Sequence, residues 1–364
     1  MPSTTMTRER LVSVDAFRGA TVAAMILVNN PGDWGHIYWP LEHAPWNGWT
    51  PTDLIFPFFL FIVGASLAFS TRDTTKAAAI RALKIFGLGF FMAFYPRFNI
   101  FTVRIPGVLP RIALCYFVAF LIKRHFSLRG VAAIAAGCCL GYWFLMTVVP
   151  VPGGLAPNLE PETNLGAWLD RLIFGPHLWV SSKTWDPEGL LSSMPAVGTT
   201  LLGYLAGSLF RAGLTATDII RRLVVSGFIL CVSGIAWDTV FPINKSLWTS
   251  SYVLFTAGLA SLLLAGFYWI GDVKGLKAPM KPMVIYGVNA IVVFVASGLL
   301  AKTMAVIKLP LGESSVSSQV FIYRTLFSSW LTPYNASLAF AIVNVAGWYA
   351  ILWWLDRRQI HIKV

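Results

Sequence analysis

The chain has 364 residues, 56% of them hydrophobic and only 12% charged, with a formal net charge of +12 and a mean hydropathy of +0.67. A water-soluble protein of this length needs far more charged surface. The positive charge is spread over short loops and not gathered into a stripe, which argues against a nucleic-acid-binding protein and leaves a helical protein that crosses the bilayer several times.

After a polar start over residues 1–10, apolar stretches follow at 12–29, 53–70, 80–95, 108–122, 130–149, 190–210, 223–241, 249–270, 283–305 and 335–355. They predict an all-α polytopic bundle of about ten transmembrane helices. Pro57, Pro96 and Pro110 are expected to kink or shorten the second to fourth. The first stretch carries Asp15 and Arg18 and lacks a cleavage site, so it is expected to stay as a span and not to be removed as a signal peptide. Lys and Arg favour one side about twofold, which predicts cytoplasmic termini. A single transmembrane domain over 1–364 then carries outer-side loops at 30–52, 150–189, 242–248 and 306–334. Within these loops, Leu165 to Phe174 reads as a short amphipathic helix and Val320 to Leu331 as an interfacial one. Cys115, Cys138, Cys139 and Cys231 lie inside apolar runs, with neither disulfide nor metal-ligand spacing. The two halves carry no convincing repeat of the kind inverted-repeat transporters have.

The densest polar chemistry falls in 29–57, which holds His36, His43, Asp33, Glu42, Asp53, Asn29, Asn47 and several Trp between two apolar segments. An interfacial aromatic belt accounts for the Trp residues and poorly for the His–Trp–Asn grouping. Histidine titrates close to working pH and suits general-base chemistry, with His43 first and His36 next. Asp53 follows Thr50-Pro51-Thr52 as a first-turn acid, and it either caps the next helix or orients His43. Arg111, just inside its span, either snorkels outward or pairs with a loop acid. In a compact bundle Asp186, Glu188, Asn244 and Lys245 face the His43 loop. Two carboxylates there suit an ammonium or sugar hydroxyls, and Trp46, Trp185 or Trp248 can stack on a sugar ring. Asp15 and Arg18, three apart on the first helix, either neutralise each other or lend Arg18 to an anionic cofactor arriving from the cytoplasm. The residues alone reach a membrane protein with a polar outer-side site and histidine chemistry.

Several stretches together resemble the heparan-α-glucosaminide N-acetyltransferase family and its bacterial amino-sugar acetyltransferase relatives. They are Arg10 to Gly19, Val28-Asn29-Asn30, His43-Ala44-Pro45-Trp46-Asn47-Gly48, Thr52 to Phe59, Val108 to Ala113, Asp186-Pro187-Glu188-Gly189 and Phe241 to Lys245. The resemblance implies acetyl transfer from cytoplasmic acetyl-CoA, a co-substrate, to the amine of a glucosamine across the membrane, with no metal. It carries the active histidine onto His43 and a nearby asparagine onto Asn29. The histidine then serves as general base or as acetyl-accepting nucleophile. Asp186 and Glu188 are expected to hold the sugar, Asn244 and Lys245 its hydroxyls, with Trp46, Asn47 and Trp248 beside it, and Asp53, Arg111 and His36 in support. Arg18, with Asp15, is expected to meet the CoA phosphates. The chain is expected to lack the extra amino-terminal lumenal domain and leading helix of the animal enzymes, so a free hexosamine or cell-wall amino sugar is the expected acceptor. A bacterial inner membrane, a periplasm-facing loop and a homodimer are further expectations. The rivals are an amino-sugar permease built on the same polar site and a lipid-binding scaffold without turnover.

Overall fold

The computed structural model describes residues 11–70, 74–360 and 362. It is mostly helical: α1 (Val12–Asn29), α2 (Ile55–Leu67), α3 (Thr75–Phe94), α4 (Val108–His125), α5 (Leu128–Thr147), α6 (Leu165–Phe174) and α7 (Ser193–Leu209) come first. They are followed by α8 (Ala216–Asp238), α9 (Ser250–Tyr268), α10 (Lys281–Val288), α11 (Ala290–Val306), α12 (Ser318–Leu326) and α13 (Pro333–Arg357).

Every predicted apolar stretch carries helix, but among the described residues only six helices are long and apolar enough to cross a bilayer. These are α1, α3, α5, α8, α13 and Ser250–Val273, in which α9 runs on through a π turn. A seventh arises if α10 and α11, bent by 79° at Asn289, count as one span. The expected count of about ten differs for local reasons: α2 has 13 residues, α7 has 17, and α4 ends in Lys123, Arg124 and His125. The short amphipathic helix is α6, capped by the Asn164 side chain on the Ala167 amide and ended at Gly175. The 306–334 stretch differs from expectation. Its first part is an antiparallel hairpin, β1 (Lys308–Leu311) with β2 (Ser314–Ser317), turning through Gly312 at φ 61°; its helix is Ser318–Leu326.

The bundle is built from close pairs, α8 on α9, α2 on α7, α1 on α10, α3 on α4 and α5 on α7. Between α2 and α7 the backbones touch: a methyl on Gly64 would overlap the Thr200 carbonyl, and one on Gly203 the Phe61 carbonyl. Small residues permit that approach, as in helix pairs packed within lipid. It seats α2 deep in the core, where Leu60, Phe61 and Ile62 are fully buried, and so fixes the loop that precedes it.

Candidate active site

The loop before α2 and the α8–α9 connection meet at one end of the bundle. The Gly48 amide donates to the Ile243 carbonyl at 2.7 Å, the Asn244 side-chain amide donates to Asn47 Oδ1 at 3.1 Å, and the Trp46 indole donates to the Leu159 carbonyl at 3.1 Å. Gly48, at φ 95°, adopts a backbone that favours glycine. This stitching brings together His43, Asp53 and Lys245, although Lys245 lies 202 residues from His43 in sequence.

Asp53 is the fixed point. Its Oδ2 accepts the amides of Ala44 and Thr50, each at 3.0 Å, and its Oδ1 faces His43 Nδ1 at 2.7 Å and Lys245 Nζ at 3.3 Å. The Tyr252 hydroxyl donates to its carbonyl at 2.5 Å, and the carboxylate is only 1% exposed. Capping and orienting are thus done by one side chain. Burial alone would raise its pKa, but the His43 hydrogen bond, the Lys245 charge and the Ala44 amide outweigh it and hold the carboxyl at about 2. His43, in contrast, is 52% exposed. With Nδ1–H donated to the anionic Asp53, its Nε2 lone pair is the one available to a substrate.

Lys245 Nζ stands 2.9 Å from Nδ1 and 3.3 Å from Nε2 of His43. Burial lowers its pKa, and the charges of Asp53 and Glu188 work in the opposite direction. The expected sugar-holding acids lie alongside, but they already have a partner that the sequence did not reveal. Arg104 grips Asp186 through Nε at 2.8 Å and Nη2 at 2.5 Å and also bonds Glu188. Burial works against the guanidinium charge, yet the two carboxylates raise its pKa above the usual range. A third acid, Asp170 on α6, accepts the Leu190 amide at 2.9 Å, and burial pushes it up to about 6.

The remaining expected residues separate into those at this centre and those elsewhere. Trp46 meets Trp185 edge-on at 5.2 Å, and Trp185 meets Trp179 at 5.8 Å, giving an aromatic wall. Trp248 is not an exposed platform: it is buried under Arg111, 5.2 Å from the guanidinium, with its indole bonded to Thr199. Asn244 is likewise buried, accepting the Leu247 amide. Among the described residues, Arg111 neither snorkels nor contacts an acid directly. It is 2% exposed and donates to the Gly189 carbonyl and the Ser192 hydroxyl. Asn29 is exposed at the end of α1, while its neighbour Asn30 is buried on the Ile26 carbonyl. His36 bonds Asp33 at 2.8 Å and packs edge-on against Tyr334, apart from the His43 contacts. Arg18 bonds Asp15 at 2.9 Å, Ser66 at 2.6 Å and the Gly287 carbonyl at 3.4 Å. It thus ties α1 to α2 and α10.

The fold and this centre define an integral membrane protein with a histidine backed by a buried carboxylate at one end of its bundle. Residues 10–220 match the family described as heparan-alpha-glucosaminide N-acetyltransferase, catalytic, and the chain belongs to that family. It is 30% identical over 351 residues to heparan-alpha-glucosaminide N-acetyltransferase of Homo sapiens, a match covering 79% of this chain and 52% of that protein. The same enzyme of Mus musculus is 29% identical over 356 residues, covering 80% and 54%. The chain therefore spans about half the length of these curated relatives.

Proposed function

We propose that this protein is a transmembrane acetyltransferase that moves the acetyl group of cytoplasmic acetyl-CoA to the amine of glucosamine or a related amino sugar at the outer side. The observation that carries this reading is the His43–Asp53 pair at 2.7 Å, with an anionic, immobile carboxylate behind an accessible imidazole.

An ammonium has no lone pair and cannot attack a thioester, so a base must act at the nitrogen. Asp53 holds the tautomer in which Nε2 of His43 accepts that proton. His43 passes this first proton to solvent, and the neutral amine forms the C–N bond at the acyl carbon. His43 then takes the second proton from the nitrogen of the adduct, the C–S bond breaks, and the thiolate leaving group takes that proton from the imidazolium, so that one proton is released overall. Asp53 supports the imidazolium in between, much as a buried acid supports a triad histidine. Direct transfer gives His43 this single role, whereas acetylation of His43 itself would require a second. The Trp46–Trp185 wall suits the apolar face of a sugar, and Glu188 with Lys245 its polar rim. Arg104, which already satisfies Asp186, holds the acids in position.

The test is incubation of purified protein with acetyl-CoA and glucosamine, followed by mass spectrometry of free CoA and N-acetylglucosamine. Stoichiometric formation of both supports the reading. Uptake of unmodified sugar into liposomes lacking acetyl-CoA, with no acetylated product, would replace it with a permease.

A further inference from the structure

Between α3 and α4 lies a cavity of about 410 Å³, walled by Ala79, Ala82 and Phe86 on one helix and Ala113, Leu114 and Phe117 on the other. Seven residues of α3 separate its extremes, so it runs roughly 10 Å along the helix pair. Its lining is almost wholly apolar until it reaches Arg111, Glu188 and Ser193. A passage of this shape fits a hydrocarbon chain and offers nothing to the amides of a pantetheine arm.

Its polar end is incompletely satisfied. Arg111 uses Nη2 on Gly189 and Ser192, while Nε and Nη1 are buried with no hydrogen-bond partner among the described residues. Leaving such donors unpaired is unfavourable, and an oxygen acceptor at the mouth of the cavity removes that cost. Charge decides which kind. Arg104 and Arg111 are faced by Asp170, Asp186 and Glu188. The cluster is already neutral or negative, so it calls for uncharged oxygens and not for a further anion. The same end borders the catalytic centre. Glu188 lines the cavity and also acts on Lys245, and Arg111 covers Trp248, whose amide closes a turn on the Lys245 carbonyl at 3.1 Å.

We propose that the α3–α4 cavity holds the hydrocarbon chain of an amphiphilic acceptor, a lipid-linked amino sugar whose hydroxyl and glycosidic oxygens meet Arg111 while its amine is presented to His43. This rests on the transferase reading above and narrows its substrate class from free hexosamines to chain-bearing ones.

The experiment compares glucosamine with hexyl β-glucosaminide, below its micellar concentration, as acceptors for the protein in nanodiscs. A few buried methylenes suffice for a tenfold gain, so kcat/KM for the hexyl compound is expected to be at least about tenfold higher. Ala82→Phe fills the cavity and is expected to bring that ratio to about one, whatever its effect on the absolute rates. A wild-type ratio near one overturns the proposal, and so does a high ratio that survives Ala82→Phe. Photolabelling with a diazirine-tipped octyl glucosaminide separates this proposal from the enzymatic one. Cross-links within 79–86 and 110–117 without any acetylated product would retain the chain site and sink the transferase. Acetylated product with cross-links only elsewhere would do the reverse.

Discussion

Replacing Asp53 by Asn exchanges one oxygen for an NH2 group and leaves the size unchanged. No orientation of the amide suits the site. With NH2 at the Oδ1 position it points at His43 Nδ1 and Lys245 Nζ, 2.7 and 3.3 Å away, as a donor facing donors. His43 then accepts at Nδ1 and carries its proton on Nε2, where the base is required. With NH2 at the Oδ2 position it meets the Ala44 and Thr50 amides, each 3.0 Å away. The wrong tautomer in a comparable triad costs about 10⁴-fold, and a loss of 10²–10⁴ in kcat is expected here, with KM for acetyl-CoA nearly unchanged. The carboxyl is also held at about 2 against its ordinary 3.8, worth about 2.5 kcal/mol of stability. Because the folded value is the lower one, that stability is fully present above pH 4 and lost as pH falls through 2. Asp53→Asn therefore forfeits it at neutral pH, and wild type and variant converge only in acid. Steady-state kinetics of the folded variant with a thermal unfolding series from pH 2 to 8 reads both effects. A folded variant that keeps a third of wild-type kcat would refute the dyad.

Asp170, pushed up to about 6, supplies the opposite sign. Its folded pKa is the higher one, so its contribution is greatest below pH 4 and declines as pH rises through 6, by up to about 3 kcal/mol. Asp170→Asn, which keeps an acceptor for Leu190, is expected to gain melting temperature relative to wild type between pH 5 and 7.5; a pH-independent difference would contradict this. Arg104→Ala leaves two carboxylates buried beside each other and is expected to cost about 3–5 kcal/mol, read as a large fall in melting temperature that Asp186→Asn partly restores. Gly203→Ala forces α7 away from the Phe61 carbonyl and is expected to cost about 1–3 kcal/mol, measured the same way, whereas a neutral result would deny the close α2–α7 contact.

Local features were legible in the sequence. His43 and Asp53 are ten residues apart in a loop closed by prolines, and α6 is bounded by Asn164 and Gly175, a capping side chain and a terminator. Long-range pairing was not. Arg104 reaches Asp186 across 82 residues, and no local pattern in one chain marks that partnership. The family motifs placed Lys245 near the sugar, but only the folded loop puts it against His43. Hydropathy found the helices, but not their lengths: by length and composition six of the described helices suffice to cross a bilayer, and the buried α2 has only 13 residues. The hairpin escaped because Pro310 argues against a strand while Gly312 supplies the turn.

Chemical rescue shows whether His43 is the base. His43→Ala, shown to be folded, is assayed for N-acetylglucosamine with and without added imidazole, using acetyl-labelled CoA. A loss of about 10²–10⁴ is expected, with partial recovery by imidazole and no acetyl label retained on the wild-type protein. Undiminished activity in His43→Ala would contradict that role.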